Sequence, residues 1–277
     1  MRIGESAEGN QSGRGGARMS RRITQAESEE GRWHAWSMSL HELPDWLLNE
    51  FSHAGRENLD AHHVSLYDSK MDASALDELT LLRDLGLGAS STLIEFGPGT
   101  GQLTIEAARV CERVVAVDVS PPMLASLQAK AAAEGLANIE AVEAGFLTYH
   151  HRPASADFVY SRLALHHLPD FWKVHALQRI SDLLKVGGVF RLWDVVYSFD
   201  PRQANDRLEA WCATGMAVPP FTPVEDGWGR WEVAEHVRDE HSTYSWLLEE
   251  MFRRTGFVIE QCELTDDTTA KYVLRKT

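Results

Sequence analysis

Three glycines at alternate positions, Gly97, Gly99 and Gly101, follow the apolar run Leu93-Ile94 and an acid, Glu95. Glycines let a chain turn sharply and bring its backbone close to a ligand, at the carboxyl end of a strand where open α/β sheets bind ligands. A dinucleotide fingerprint needs G-x-G-x-x-G, but counting from Gly97 its last position falls on Gln102, so the spacing points away from NAD. Asp118, 21 residues past Gly97, closes the next apolar run. A carboxylate there can accept hydrogen bonds from both hydroxyls of a ribose; capping the following helix is the other reading. The pairs His62-His63, His150-His151 and His166-His167 offer imidazoles. Neighbouring side chains point about 100° apart on a helix and to opposite faces of a strand, so such pairs seldom chelate together, and no metal site is expected. His166 and His167 are candidate general bases, because an imidazole titrates near neutral pH; a helix-capping His-His-Leu-Pro turn accounts for them equally well. Asp194 and His241 are the other base candidates.

Those residues need a scaffold of alternating strands and helices. Apolar runs at 91–96, 113–118, 139–142, 157–161 and 189–193 read as strands, separated by helical stretches at 102–111, 121–134 and 170–185. Ser120 is a fitting N-cap, Pro121 and Pro122 occupy the first turn, and Gly135 marks the stop. This rhythm implies a parallel sheet with helices on both faces. A helix over 245–254 and two strands, 257–264 and 271–275, with the look of an antiparallel hairpin, finish the chain.

Ahead of the sheet, Leu43, Trp46, Leu47 and Phe51, then Leu76, Leu79, Leu82 and Leu85, recur at helical spacing, so 33–90 is expected to form a helical cap. Residues 1–32 hold six glycines, six Arg and five Glu without any Leu, Val, Phe, Trp or Tyr, and are expected to be a disordered tail. Met19 and Met38 are alternative starts if the tail is over-long. Residues 91–277 form the main domain. Within it, 200–238, rich in Pro and Trp, breaks the rhythm and reads as a lid-like insertion; Trp193, Tyr197, Phe199, Trp211, Phe221, Trp228 and Trp231 would wall an acceptor pocket or simply pack that insertion.

Four segments in order carry a resemblance: Glu95-x-Gly97-x-Gly99-x-Gly101, Val117-Asp118-Val119-Ser120-Pro121-Pro122-Met123, Ala156-Asp157-Phe158-Val159-Tyr160-Ser161 with Leu165-His166-His167-Leu168, and Leu184-Lys185-Val186-Gly187-Gly188. They are similar to the ordered motifs of class I S-adenosylmethionine-dependent methyltransferases, nearer the small-molecule branch, over roughly residues 60–277. The resemblance implies a doubly wound, Rossmann-like α/β fold whose seven-stranded, mostly parallel sheet has an antiparallel last strand. It implies S-adenosylmethionine as cofactor, with the loop Gly97, Gly99 and Gly101 around the methionine part and Glu95 near its ammonium. Asp118 would hold the ribose, and Val119 and Met123 would pack the adenine. Ser161 and Arg162 would close over the methionine, and Tyr67, which also reads as a core tyrosine, would reach its carboxylate. The family's usual acid after the third strand is replaced by Gly145-Phe146, so Phe146 would wall the adenine while backbone makes the hydrogen bonds.

Composition narrows the partners. Lys plus Arg number 27 against 41 Asp plus Glu, a net charge of −14, which repels nucleic acid and anionic lipid. With neither a secretory signal nor a run long enough to span a membrane, a soluble cytoplasmic protein is expected. Cys111, Cys212 and Cys262 lie too far apart for a CxxC motif and are read as reduced thiols. The expected activity is methyl transfer to a small-molecule acceptor by in-line displacement, driven mainly by positioning. An NAD(P)-dependent oxidoreductase and a non-catalytic cofactor-binding module are the alternatives. Neither the acceptor nor the oligomeric state can be read.

Overall fold

The computed structural model describes residues 36–37, 44–52, 64, 74–214 and 229–277. The tail 1–32, His62, His63, Tyr67, Phe221 and Trp228 lie outside the described residues. In chain order the principal elements are α1 (Ala75–Asp84), β1 (Thr92–Phe96), α2 (Gln102–Ala108), β2 (Arg113–Asp118), α3 (Pro121–Ala133) and β3 (Ile139–Glu143). They continue as β4 (Ala156–Arg162), α4 (Asp170–Leu183), β5 (Leu184–Tyr197), α5 (Ala204–Thr214), α6 (Arg230–Asp239), α7 (Ser245–Arg254), β6 (Phe257–Thr265) and β7 (Thr269–Lys276).

The main sheet runs β3-β2-β1-β4-β5-β7-β6, with β7 antiparallel to both of its neighbours and the other pairings parallel. Thr243–Tyr244 adds a two-residue bridge to the end of β5. The fold is the Rossmann-like one expected, including the antiparallel last strand. Strand order reverses between β1 and β4, which opens a crevice at their carboxyl ends, where such sheets hold ligands.

Alternation along each strand explains the two layers. Ile94, Phe96, Val115, Val117, Phe190 and Leu192 face the core shared with Ala176, Leu177 and Ile180 of α4 and Leu248 and Phe252 of α7. Leu93, Val114, Phe158, Tyr160 and Val189 face the opposite core with Leu79 and Leu82 of α1 and Leu103 and Ala107 of α2. Arg191 also points to this second side, where its guanidinium meets the buried carboxylate of Glu78 in a two-pronged pair of 2.7 and 2.8 Å, tying α1 to the centre of the sheet. Ser120 caps α3 as expected, accepting from the Met123 N–H at 3.3 Å.

The helical cap needs correction over its described part. Leu43, Trp46, Leu47 and Phe51 suggest one amphipathic helix, but 44–52 forms turns and a single 3-10 turn, Glu50–Ser52. Trp36–Ser37 pairs as a short strand with Tyr149–His150. Tertiary contacts outweigh the helical spacing: Leu47 and Leu48 pack on the main core, and Glu50 is held by the backbone after β3. Trp46 remains 70% exposed, its ring stacked at 6.4 Å on Trp172. Residues 186–188, with their two glycines, form an irregular beginning of β5, with Gly187 at φ +78°.

Candidate active site

A cleft enclosing about 720 Å³ of atom-free space, partly open to solvent, lies at the carboxyl ends of β1, β2 and β4. On one side stand Gly97 and Gly99, then Asp118, Val119 and Met123. Gly97 has φ +69°, and a Cβ there would come within 2.6 Å of the Ala164 Cβ, so the first loop and the loop after β4 close on each other only because this residue is glycine. Asp118 holds the turn: its Oδ2 accepts from the Gly99 N–H at 3.1 Å and its Oδ1 from the Ser120 N–H at 2.9 Å. Val119 N–H is a third backbone partner, and the carboxylate, which lines the cleft, keeps acceptor capacity beyond these. Burial pushes the Asp118 carboxyl up to about 6, against the pull of those backbone donors.

Glu95 and Gly101 sit behind this loop and do not line the cleft. Glu95 is buried on the α2 side, where it accepts from Thr104 Oγ1; burial, with a smaller contribution from the charge of Asp118, raises it to about 7. Gly101, at φ +86°, caps α2, and a Cβ there would strike Leu127 at 2.6 Å, so its glycine is explained by helix packing.

The next wall comes from the segment after β3. Phe146 lines the cleft and stacks on Phe96 with ring centroids 4.7 Å apart, which leaves one face covered by protein. Gly145 permits the approach of Glu50, since a Cβ would lie 2.2 Å from the Glu50 carboxyl carbon. Glu50 accepts from the N–H groups of Leu147 and Thr148 at 3.1 and 2.9 Å and from Thr148 Oγ1 at 2.6 Å. Burial raises its pKa, opposed by these bonds and by the charge of Arg179. Arg179 fastens the same segment, donating to the carbonyls of Phe146 and Tyr149.

The far wall is formed by Arg162, Leu163, Ala164, His167 and Leu168. Leu163 adopts φ +51°, a left-handed conformation that costs a non-glycine residue about 1–3 kcal/mol and commonly marks functional sites. Its N–H donates to the Trp193 carbonyl at 2.8 Å, which fixes the turn. Trp193 lies between two cations, Arg162 at 4.4 Å and Lys271 Nζ at 4.1 Å from its ring centroid. Ser161 is fully buried beside this wall, and its Oγ lacks a hydrogen-bond partner among the described residues.

The base candidates divide. His167 lines the cleft; burial and then the charge of His166 hold it down at about 3. His166 and Asp194 are buried behind it. His166 Nδ1 meets Asp194 Oδ1 at 2.5 Å, and the Asp194 carboxylate also accepts from the N–H groups of His166 and Val195. His166 Nε2 lies 3.1 Å from Glu240 Oε2. Burial opposes the charge on His166, but Asp194, and then Glu240, outweigh it and lift the imidazole to about 10. His241 gives its N–H to the His166 carbonyl and its own carbonyl to Lys173 Nζ, and it is not part of the cleft lining.

The insertion contributes His236, within α6, and Glu240 follows just past the end of that helix. Trp211 meets the His236 ring edge-on at 5.5 Å, while Tyr197, Phe199 and Tyr244 pack together, so these aromatics build the insertion's own core. Trp231 is 76% exposed and outside the cleft lining, so the acceptor-wall role expected of it is not what its position offers. Glu50, Leu163, His236 and Glu240 were not among the residues singled out from the sequence.

Comparison with known proteins follows the same outline. Residues 93–188, spanning β1 to the start of β5, match the family model of a methyltransferase domain. An uncharacterized methyltransferase of Geobacillus sp. (strain WCH70) is 29% identical over 214 residues, covering 76% of this chain and 91% of that protein. Residues 93–188 are a class I S-adenosylmethionine-dependent methyltransferase domain. The phosphoethanolamine N-methyltransferase 2 of Haemonchus contortus, solved with phosphomonomethylethanolamine and S-adenosylhomocysteine, shares this methyltransferase fold with a TM-score of 0.60 at 17% identity, over 83% of this chain and 61% of that one. A methyltransferase of Aquifex aeolicus gives 0.54 at 15% identity, over 79% and 100%.

Proposed function

We propose that this methyltransferase acts on a small-molecule acceptor seated against Arg162, Leu163, Ala164 and His167, with S-adenosylmethionine across the glycine loop and Asp118. The observation that carries the reading is that these two groups of residues share one cleft. The residues suit the cofactor. Gly97 and Gly99 leave backbone space for the methionine part, the open lone pairs of Asp118 suit the ribose hydroxyls, and Val119, Met123 and Phe146 supply apolar surface for the adenine. Glu50 offers the acid that Gly145-Phe146 does not. Glu95 acts from behind the loop through its charge, Arg162 and Ser161 border the methionine end, and Gly101 serves through the helix it caps. Tyr67 keeps its proposed place at the cofactor carboxylate on sequence grounds alone. When bound, the cofactor supplies a methyl group activated by a sulfonium.

This chain's contribution is alignment and exclusion of water, which in favourable model systems is worth about 7–11 kcal/mol. His166 and Asp194, bonded to each other and to neighbouring backbone, with His166 also meeting Glu240, act as positioning residues for the loop that carries His167. We assign a roof over the acceptor to the 33–90 segment and the 200–238 insertion, the first of which Glu50 brings to the cleft lining. A net charge of −14 favours a small acceptor over nucleic acid or an anionic membrane. Among the described residues no helix is long and apolar enough to cross a membrane, and the three thiols are free, in keeping with a cytoplasmic enzyme. The test supplies S-adenosylmethionine with an isotopically labelled methyl group and a fractionated cell extract. Label in the small-molecule fraction supports the reading; label confined to RNA or protein overturns it.

A further inference from the structure

At and behind the far wall, His166, His167 and Glu240 converge more closely than methyl transfer by positioning requires. His166 Nε2 lies 3.1 Å from Glu240 Oε2, and His167 Nδ1 lies 4.0 Å from Glu240 Oε1. One donor atom from each of these three residues falls within 4.8 Å of the other two. For metal–ligand bonds of about 2.0–2.2 Å, tetrahedral ligands stand about 3.4 Å apart, so only small side-chain movements separate this arrangement from a coordination sphere. The adjacent pair can converge because His166–His167 lies in a single 3-10 turn at Leu165–His167, whose ring centroids come within 4.3 Å, a geometry that regular helix or strand spacing does not give.

The surroundings are those that metal ligands require. A ligating imidazole ordinarily gives its second nitrogen to a carboxylate or carbonyl, which fixes its tautomer and direction. His166 does this through Nδ1 to Asp194, itself anchored by the backbone N–H of Val195 at 2.8 Å. Glu240 is oriented in turn by Nδ1 of His236, one helical turn earlier, and His236 Nε2 meets Ser242 Oγ at 2.8 Å. The partners that would aim the ligands are thus in place.

We propose that His166, His167 and Glu240 bind one divalent first-row transition ion. Two imidazoles and one carboxylate suit Zn(II), Fe(II) or Co(II), whereas Mg(II) and Ca(II) prefer all-oxygen sets. Three protein ligands leave further coordination positions open, and His167 borders the cleft, so the ion belongs to the acceptor side of the site.

The test uses the full chain, without an affinity tag, stripped by chelator and titrated with Co(II) while visible d–d absorption is recorded. The expected result is one Co(II) per chain, displaced by Zn(II), with affinity falling more than about 100-fold in Glu240→Gln and in His167→Gln, beyond the 10–100-fold typical of losing an outer-shell partner. His175→Ala, a histidine outside the cluster, keeps full binding. Circular dichroism and S-adenosylhomocysteine binding of Glu240→Gln establish that it is folded, and His167→Gln is the independent second variant. No stoichiometric Co(II) binding, or binding that both variants leave unchanged, overturns the proposal whatever the enzyme's activity.

Discussion

Replacing Asp118 by Asn keeps the side chain's size, removes one charge and exchanges an acceptor oxygen for a donor amide. In the structure the two carboxylate oxygens already accept from the N–H groups of Gly99 and Ser120, at 3.1 and 2.9 Å. The Val119 N–H also bonds this carboxylate, and of its roughly four acceptor positions at least one remains for a ribose hydroxyl. Asn has a single oxygen, and its amide –NH₂ must then face one of the two backbone N–H groups, donor against donor. At least one charge-assisted bond to the ligand is lost. Such a bond is worth about 1.5–3 kcal/mol, or about a 10- to 150-fold weaker Kd. The assay is calorimetric titration with S-adenosylhomocysteine, with circular dichroism and Tm recorded on the same sample. Part of any Tm loss belongs to the glycine loop itself, since the Gly99 contact is intramolecular, which is why affinity is the deciding quantity. A folded Asp118→Asn protein that binds within twofold of the parent would refute the ribose role and the reading of the loop built on it.

Burial holds Glu95 at about 7 and Asp118 at about 6, above their ordinary values, so the folded chain keeps protons that the unfolded chain would release. Their stabilising contribution is full at acid pH and is lost as pH rises through about 6–7, whereas a hydroxyl-bearing cationic ligand favours the ionised carboxylates. S-adenosylmethionine should therefore bind more tightly as pH rises from about 5.5 to 7.5. Titrations in buffers of different ionisation enthalpy should show proton release; proton uptake would contradict this. Glu78→Ala strands the Arg191 guanidinium in the core and should cost about 3–5 kcal/mol in urea unfolding, with much of it regained in an apolar double replacement; a loss under about 1 kcal/mol would show the pair is not buried as described. Gly97→Ala should abolish cofactor binding through its collision with Ala164, and Ala164→Gly in the same chain should restore part of it; equal defects in both proteins would argue against that collision. Amide exchange in 44–52 and 230–240 should slow when S-adenosylhomocysteine and acceptor bind together, and indifference to both would remove these segments from the roof.

The sheet was legible because its signals are local. The apolar runs, the Ser120-Pro121-Pro122 helix start and the glycine loop each announce themselves within a few residues, and the order of the motifs carries the topology. What stayed hidden depends on contacts between distant parts of the chain. Glu50 reaches the segment after β3 across 97 residues of sequence, and nothing in the spacing of Leu43, Trp46, Leu47 and Phe51 distinguishes a free amphipathic helix from a 3-10 turn held by Leu147 and Thr148. Gly101 shows the converse, a motif position whose local cause is helix capping and Leu127 packing. Regular helix and strand geometry turns neighbouring histidines apart, and the 3-10 turn at Leu165–His167 lies outside both. Glu240 reads from sequence as one acid among many; only the packing of α5 and α6 beside Leu163 brings it to His166. Leu163 carries no sequence mark of its positive φ.

The most direct measurement is titration of the full chain with S-adenosylhomocysteine and, in parallel, with NAD. The glycine spacing, Asp118 and the shared cleft predict one saturable site for the sulfur ligand, in competition with S-adenosylmethionine, and no heat from NAD. Tight binding of NAD with no response to either sulfur ligand would contradict the assignment of the cleft.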